Sequence, residues 1–252
     1  MKQQVNPKYD TPELREFLAH LPEAFEQGGS VIYSGRNTLK SFRIGGRELI
    51  VKRFRPLSPA RSLLYVGHSS KGERAYEYGL EFLRRGILTP EPAAYVDFRS
   101  GPFRALLRES YFISLPLYAP DLTCLRRPGF DCAEADMLSR FVYELQQRGI
   151  LHGDLNLTNI LLTDSQAQEP LHRYALIDTN RTHLLPDGKT PTLNQRAANL
   201  MRLTHRRDLM HQILRTFPAG TDTGLVRLTF RRLLRMEARK RLIHRIFRPS
   251  KR

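Results

Sequence analysis

The segment His152-Gly153-Asp154-Leu155-Asn156-Leu157-Thr158-Asn159, followed by the apolar run Ile160-Leu161-Leu162, decides how this chain is read. Its Gly, Asp and Asn content predicts a loop, and the run behind it a short strand. Such a loop can aim Asp154 and Asn159 the same way. The first is a carboxylate able to take a proton, the second an amide able to hold a divalent cation. Further on, Tyr174-Ala175-Leu176-Ile177-Asp178 reads as an apolar strand that ends in an acid. Hydrated turn residues would explain the first segment alone. Two acids in this order, each flanked by apolar strands, point to a site.

The spacing is that of a kinase catalytic loop, H-R-D-L-x-x-x-N, with Asp178 where the metal-binding acid follows. Upstream, Leu49-Ile50-Val51-Lys52 matches the strand whose lysine pairs nucleotide phosphates. Lys52 then needs a carboxylate on a helix. Residues 70–85 have helical spacing, with Ala75, Tyr78, Leu80, Phe82 and Leu83 as candidate buried positions. We expect Glu77 as the partner, with Glu81 one turn later as the alternative. The hairpin turn containing Gly35, Arg36 and Asn37 sits where a phosphate-covering loop would, although it is not glycine-rich in the G-x-G-x-x-G manner; its amides and Arg36 could meet phosphate oxygens. An adenine edge would meet the backbone near Tyr111 to Leu115.

A chain of 252 residues with a 40% hydrophobic share can bury a full core. The two cysteines, Cys124 and Cys132, fit no metal spacing, so a reduced compartment is expected. Met1 to Asp10 lacks the apolar core of a signal peptide, and no apolar run reaches spanning length. A cytoplasmic protein is the resulting expectation. Residues 1–195 carry 25 Lys+Arg against 22 Asp+Glu, whereas residues 196–252 carry 16 against 3. Most of the net charge of +16 therefore sits in the last quarter. It predicts an anionic partner: a membrane leaflet, a phosphorylated glycolipid or nucleic acid. No nucleic-acid motif accompanies it, and none is expected to bind.

Along the chain, residues 1–27 read as a helical lead-in, 28–113 as a strand-rich lobe and 114–252 as a mostly helical lobe. Strands are expected at Val31–Tyr33, Leu39–Ile44, Glu48–Phe54, Ala93–Phe98 and from Arg104 to Leu117, with Gly45-Gly46 turning a hairpin. Asp131 to Gln147 reads as an amphipathic helix that delivers the chain to His152, and Thr163 to Arg173 as a hairpin loop. His205-Arg206-Arg207-Asp208-Leu209 imitates the catalytic loop but carries Ile213 where the metal-binding Asn should be. Phe230, Leu233, Leu234, Ala238, Leu242 and Ile246 can line one helix side against Arg231, Arg235, Arg239, Lys240 and Arg245. That pattern reads first as a core-docking helix and second as a membrane-surface one.

With these residues in view, the chain resembles the lipopolysaccharide core kinases, the Kdo and heptose kinases and their small relatives. The resemblance covers roughly residues 30 to 210. It rests on Val51-Lys52-Arg53-Phe54, Arg74-Ala75-Tyr76-Glu77, residues 86–92 (GILTPEP), Ser110 to Ser114, His152-Gly153-Asp154, Ile177-Asp178 and Asn199 to Leu203. It implies an α+β, protein-kinase-like bilobal fold, ATP, Mg2+ and a core-sugar hydroxyl as acceptor. By that likeness Asp154 is the base, Asn159 and Asp178 hold the metal, and Lys52 fixed by Glu77 cradles the phosphates. The acceptor would be lipid A-linked core oligosaccharide, met peripherally at the inner face of the inner membrane.

Two departures bear on this. Thr179-Asn180-Arg181 follows Asp178, where protein kinases have Phe-Gly. Asn156 stands where many of them carry Lys, leaving Arg181 or Arg36 to supply the missing phosphate-directed charge. No A-P-E segment is present as a peptide platform. The rival readings are an aminoglycoside-type or RIO-like phosphotransferase, and a non-catalytic basic pseudokinase. An antibiotic-binding cleft is expected to be acidic, against this basic C-terminal region. Pure binding needs none of the set Lys52, Asp154, Asn159 and Asp178.

Overall fold

A computed structural model of the chain describes residues 1–56, 58, 62, 65–101, 106–217 and 223–247, with side chains up to 243. Arg104, part of an expected strand, lies outside the described residues, as do the side chains of Arg245 and Ile246. The chain forms two compact units, residues 1–118 with 178–180, and residues 119–177 with 181–252.

The first unit is built on one antiparallel sheet. Its strands are β1 (Lys2–Val5), β2 (Ser30–Ser34), β3 (Thr38–Ile44), β4 (Arg47–Arg53), β5 (Pro92–Ser100) and β6 (Leu106–Ser114), in the spatial order β1-β5-β6-β4-β3-β2. Helices α1 (Pro12–Ala19) and α2 (Leu21–Gln27) cover one face. Leu14, Leu18, Leu21 and Phe25 from the helices pack there with Phe42, Leu49, Val51, Tyr111 and Ile113 from the sheet. Residues 1–27 therefore belong to this core. They also supply a strand: β1 pairs with β5, Lys2 opposite Asp97. Its sequence, KQQV, is polar and non-alternating, so only the pairing partner reveals it.

Helix α3 (Lys71–Arg84) packs against β5 and β6. Ser70 caps it, its hydroxyl accepting from the Glu73 N–H at 3.0 Å. Its buried stripe is Gly72, Glu73, Ala75, Tyr76, Gly79 and Phe82, whereas Tyr78, Leu80 and Leu83 stay partly exposed. The stripe is thus turned from the one expected. The glycines explain the turn: a Cβ on Gly72 would stand 2.5 Å from the Tyr111 carbonyl oxygen, and one on Gly79 2.7 Å from the Pro92 ring. Only bare backbone can approach the sheet this closely. That rotation buries Glu73, which accepts from Lys2 Nζ at 2.5 Å, and leaves Glu77 exposed.

The second unit is organised by α4 (Cys132–Gln147), whose Leu138, Phe141, Val142 and Leu145 are fully buried. Asp131 caps it through the N–H groups of Ala133 and Glu134. Two small antiparallel ladders follow: β7 (Ile150–Leu151) with β10 (His183–Leu184), and β8 (Ile160–Leu162) with β9 (Tyr174–Leu176). The expected loop before β9 ends in a short helix, α5 (Pro170–Arg173), started by a proline at its first turn. Beyond lie α6 (Leu193–Leu200), α7 (Arg207–Arg215) and α8 (Thr223–Phe247). The imitation loop at His205 runs into α7, which buries Leu209, Met210, Ile213 and Leu214. Only the first half of α8 is buried, at Leu225, Thr229 and Leu233; Leu234, Leu242 and Ile243 are exposed. Among the described residues the fully buried side therefore ends at Leu233, while Leu234, Arg235 and residues 238–243 are exposed. No described helix is long and apolar enough to cross a membrane.

Candidate active site

In the first unit the strand period settles where Lys52 points. Leu49, Val51 and the Arg53 guanidinium, 4.6 Å from the Phe25 ring, face α1 and α2. Lys52 therefore emerges on the opposite face, the one that carries α3. Its Nζ donates to Asp178 Oδ1 at 2.5 Å and lies 5.3 Å from the Phe54 ring. The expected Lys52–Glu77 pair does not form among the described residues. Lack of full hydration, followed by the charge of Glu73, pushes the Glu77 carboxyl above the usual carboxylate range. Glu81 is taken as well, by Arg84 and Arg85.

Asp178 enters the first unit with only two further residues, Thr179 and Asn180. It has φ +65°, and no other non-glycine residue described has a positive φ. A strained backbone of this kind costs of order 1–3 kcal/mol and collects at functional sites. The two residues after it hold it there. Thr179 Oγ1 donates to the Ala75 carbonyl of α3 at 3.3 Å, and Asn180 Nδ2 donates to Asp178 Oδ1 at 2.9 Å. The Thr-Asn pair that replaces Phe-Gly thus aims the acid, a role the sequence did not disclose.

The turn holding Gly35, Arg36 and Asn37 lines a cavity of about 210 Å³ together with Thr38 and Arg53 to Pro56. The Gly35 N–H donates to the Asn37 carbonyl at 3.1 Å, and Asn37 Oδ1 accepts from the Arg55 N–H at 3.2 Å. These amides are spent on closing the turn. What the loop offers an anion is the exposed guanidinium of Arg36, with Arg55 beside it.

In the second unit the loop after β7 is fixed at nearly every residue. Leu155 and Leu157 are fully buried. His152, also buried, places Nε2 2.9 Å from the Ile177 carbonyl, and the Ile177 N–H donates to the Asn159 carbonyl at 3.0 Å. The loop and the end of the strand before Asp178 are thereby joined twice. Asn159 Nδ2 donates to the Asp154 carbonyl at 2.9 Å, as Asn156 Nδ2 does at 3.1 Å. Asn156 Oδ1 also accepts from the Thr158 N–H at 3.0 Å, so this residue shapes the loop instead of supplying charge. Among the described residues the Asp154 carboxylate takes one hydrogen bond, from Arg181 Nη1 to Oδ2 at 3.1 Å.

Gly153 permits this last contact. It has φ +72°, and a Cβ on it would stand 2.1 Å from the Arg181 carbonyl oxygen. Asn199 on α6 supports the same turn, its Oδ1 accepting from the Gly153 N–H at 3.4 Å. Asn199 was visible in the sequence only as part of a resemblance, and Gly153 only as a loop residue; the Gly153 contacts to Asn199 and Arg181 span 46 and 28 positions of the chain, beyond any local pattern.

Mg2+ takes hard oxygen donors, and proteins commonly hold it by one or two side chains, water and phosphate doing the rest. Asp178 is such a donor. So is Asn159: its Nδ2 is committed to the Asp154 carbonyl, which leaves Oδ1 as its coordinating atom. Each of the two residues, taken by itself, has a donor that fits the ion.

Comparison with known proteins agrees with this chemistry. The model of the lipopolysaccharide kinase (Kdo/WaaP) family matches residues 81–220, more than half of the chain. None of the curated proteins compared matches. Among solved structures, one described as WaaP in complex with acyl carrier protein superposes with a TM-score of 0.59, at 19% identity, over 93% of this chain and 99% of that one. This likeness shows an α+β, protein-kinase-like fold. A loop fixed residue by residue around Asp154, in a chain matched by a kinase family across that loop, leads to one assignment: the protein belongs to the lipopolysaccharide kinase (Kdo/WaaP) family.

Proposed function

We propose that the protein is an ATP- and Mg2+-dependent sugar kinase that phosphorylates a hydroxyl of an inner-core lipopolysaccharide sugar, Kdo or heptose on lipid A. The observation that carries this reading is the Asp154 loop, pinned through His152, Asn156 and Asn159 so that one carboxylate is presented on a rigid frame. Asp154 accepts the proton of the acceptor hydroxyl as its oxygen attacks the γ-phosphorus, and the bond to the ADP oxygen breaks. Lys52 exchanges Asp178 for the nucleotide phosphates, while Asn180 keeps the Asp178 carboxylate oriented. Arg36 adds charge at the turn. Asn159 and Asp178 would hold Mg2+, which when bound neutralises charge on the transferring phosphoryl group.

The enzyme would work peripherally at the inner face of the inner membrane. The distal half of α8 supports this, since it exposes Leu234, Leu242 and Ile243 among Arg231, Arg235, Arg239, Lys240 and Arg241. Each basic residue near an anionic leaflet is worth about 1 kcal/mol. A carrier protein is the second candidate for this surface, because the WaaP structure was solved with acyl carrier protein.

The test is incubation with ATP, Mg2+ and lipid A precursors bearing Kdo or heptose, followed by mass measurement. One added phosphate per acceptor is expected. Asp154→Ala should lose at least about a hundredfold in transfer while still binding ATP, the usual cost of removing a general base. Normal turnover in that variant, or no mass gain on any acceptor, would overturn the reading.

A further inference from the structure

The Arg181–Asp154 contact asks for an explanation. The Arg181 guanidinium occupies Oδ2 of the carboxylate read as the base. As a structural bond it contributes little, because the two side chains are 48% and 27% exposed and water screens such a pair. Yet the chain is built to make it: Gly153 gives up a side chain and adopts a left-handed φ so that the Arg181 backbone can lie against it. Arg181 follows directly on Asp178-Thr179-Asn180 in the chain. Among the described residues the guanidinium has no partner other than Asp154. Its remaining N–H groups can receive a second anion.

We propose that Arg181 forms an anion subsite for the acceptor, recognising a carboxylate or phosphate carried by the glycolipid near the hydroxyl to be phosphorylated. Without acceptor, Arg181 rests on Asp154. An acceptor that brings its own anion takes the guanidinium, in a bidentate geometry that one monodentate contact to Asp154 cannot match. Asp154 is then released to accept the hydroxyl proton. A sugar without the anion leaves the base paired. Arg181 is thus a specificity-determining and positioning residue, and this role rests on the reading of Asp154 as the base.

The test compares three acceptors: an intact Kdo-bearing lipid A precursor, the same molecule with its sugar carboxylate reduced to an alcohol, and the same molecule without its phosphates. Wild-type protein should use the intact acceptor about 10- to 100-fold better in kcat/KM than the one lacking the recognised anion, the range expected for charge-assisted hydrogen bonds. The arm that suffers tells carboxylate from phosphate. Arg181→Gln should raise KM for the intact acceptor and bring the ratio close to one, with the neutralised acceptor used at least as well as by wild type. Arg181→Lys keeps charge but not the fork, and should restore part of the preference. A fall of equal size on all acceptors would make Arg181 merely structural, and equal use of all acceptors by wild type would also overturn the subsite. Transfer to none of them, by contrast, would overturn the proposed function itself.

Discussion

Gly153→Ala puts a methyl group where the chain leaves no room. The new Cβ would stand 2.1 Å from the Arg181 carbonyl oxygen and 3.0 Å from its carbon, on a backbone at φ +72°. Holding a non-glycine residue left-handed costs about 1–2 kcal/mol. Overpacking adds about 1–3 kcal/mol. Together they amount to about 2–5 kcal/mol, or a Tm lowered by roughly 4–20 °C for a chain of this length. If the chain instead relieves the clash by moving Arg181 and the loop, the loss of stability shrinks and the cost passes to catalysis. A shift of about 1 Å in a catalytic group is then worth roughly a hundredfold in rate. Calorimetry and single-turnover phosphoryl transfer on the same preparation read both sides. A variant with Tm within about 1 °C of wild type and turnover within about twofold would refute the reasoning, because neither strain nor displacement would then exist.

Three further outcomes are expected. Asn180→Ala removes the hydrogen bond that aims Asp178, so the Mg2+ concentration for half-maximal activity should rise about 10- to 100-fold; an unchanged Mg2+ titration would remove Asn180 from the site. Glu77→Gln should leave turnover within about threefold, and a double-mutant cycle with Lys52 should be additive, because Lys52 pairs with Asp178 instead; strong coupling would restore Glu77 as the lysine's partner. Arg84, and after it Arg85, hold the Glu81 carboxyl down at about 2 against the opposing effect of burial. A depressed carboxyl stabilises the fold above its unfolded value and loses that contribution as pH falls through its folded one. The Tm difference between wild type and Glu81→Gln should therefore be full at neutral pH and close between about pH 4.5 and 2, and a difference independent of pH would contradict the assignment.

Much of the architecture was legible because local rules and tertiary packing agree. Gly45-Gly46 turned the β3–β4 hairpin as expected, and Asp131 and Ser70 cap the helices that the periodicity outlined. Where the readings failed, the deciding contact was distant in sequence. Polar β1 becomes a strand only because β5 accepts it. Glu77 was chosen from its mid-helix position, but the glycines of α3 set the rotation of the helix and turn it outward. The apolar side of α8 reads as a core face along its whole length, yet among the described residues full burial ends at Leu233. Of the candidate site, the residue types and their order were visible. What orients them was not, because Asn180, Arg181 and Gly153 act through hydrogen bonds and close contacts that leave no periodic trace.

The three-residue return of the chain into its first unit has a consequence for synthesis. Lys52 and Asp178 are 126 positions apart. At roughly 5–20 residues per second, a ribosome needs about 6–25 s to make that stretch. During this interval the sheet can assemble, but the ammonium of Lys52 has no aspartate to meet and the Ala75 carbonyl has no threonine. A nascent or truncated chain ending before Asp178 therefore cannot complete the first unit, however well its strands have paired. On the proposed reading of Lys52 and Asp178, ATP binding would then appear only after the loop carrying Asp154 has been made, so that a chain could not hold the nucleotide before it owns the residues proposed to spend it.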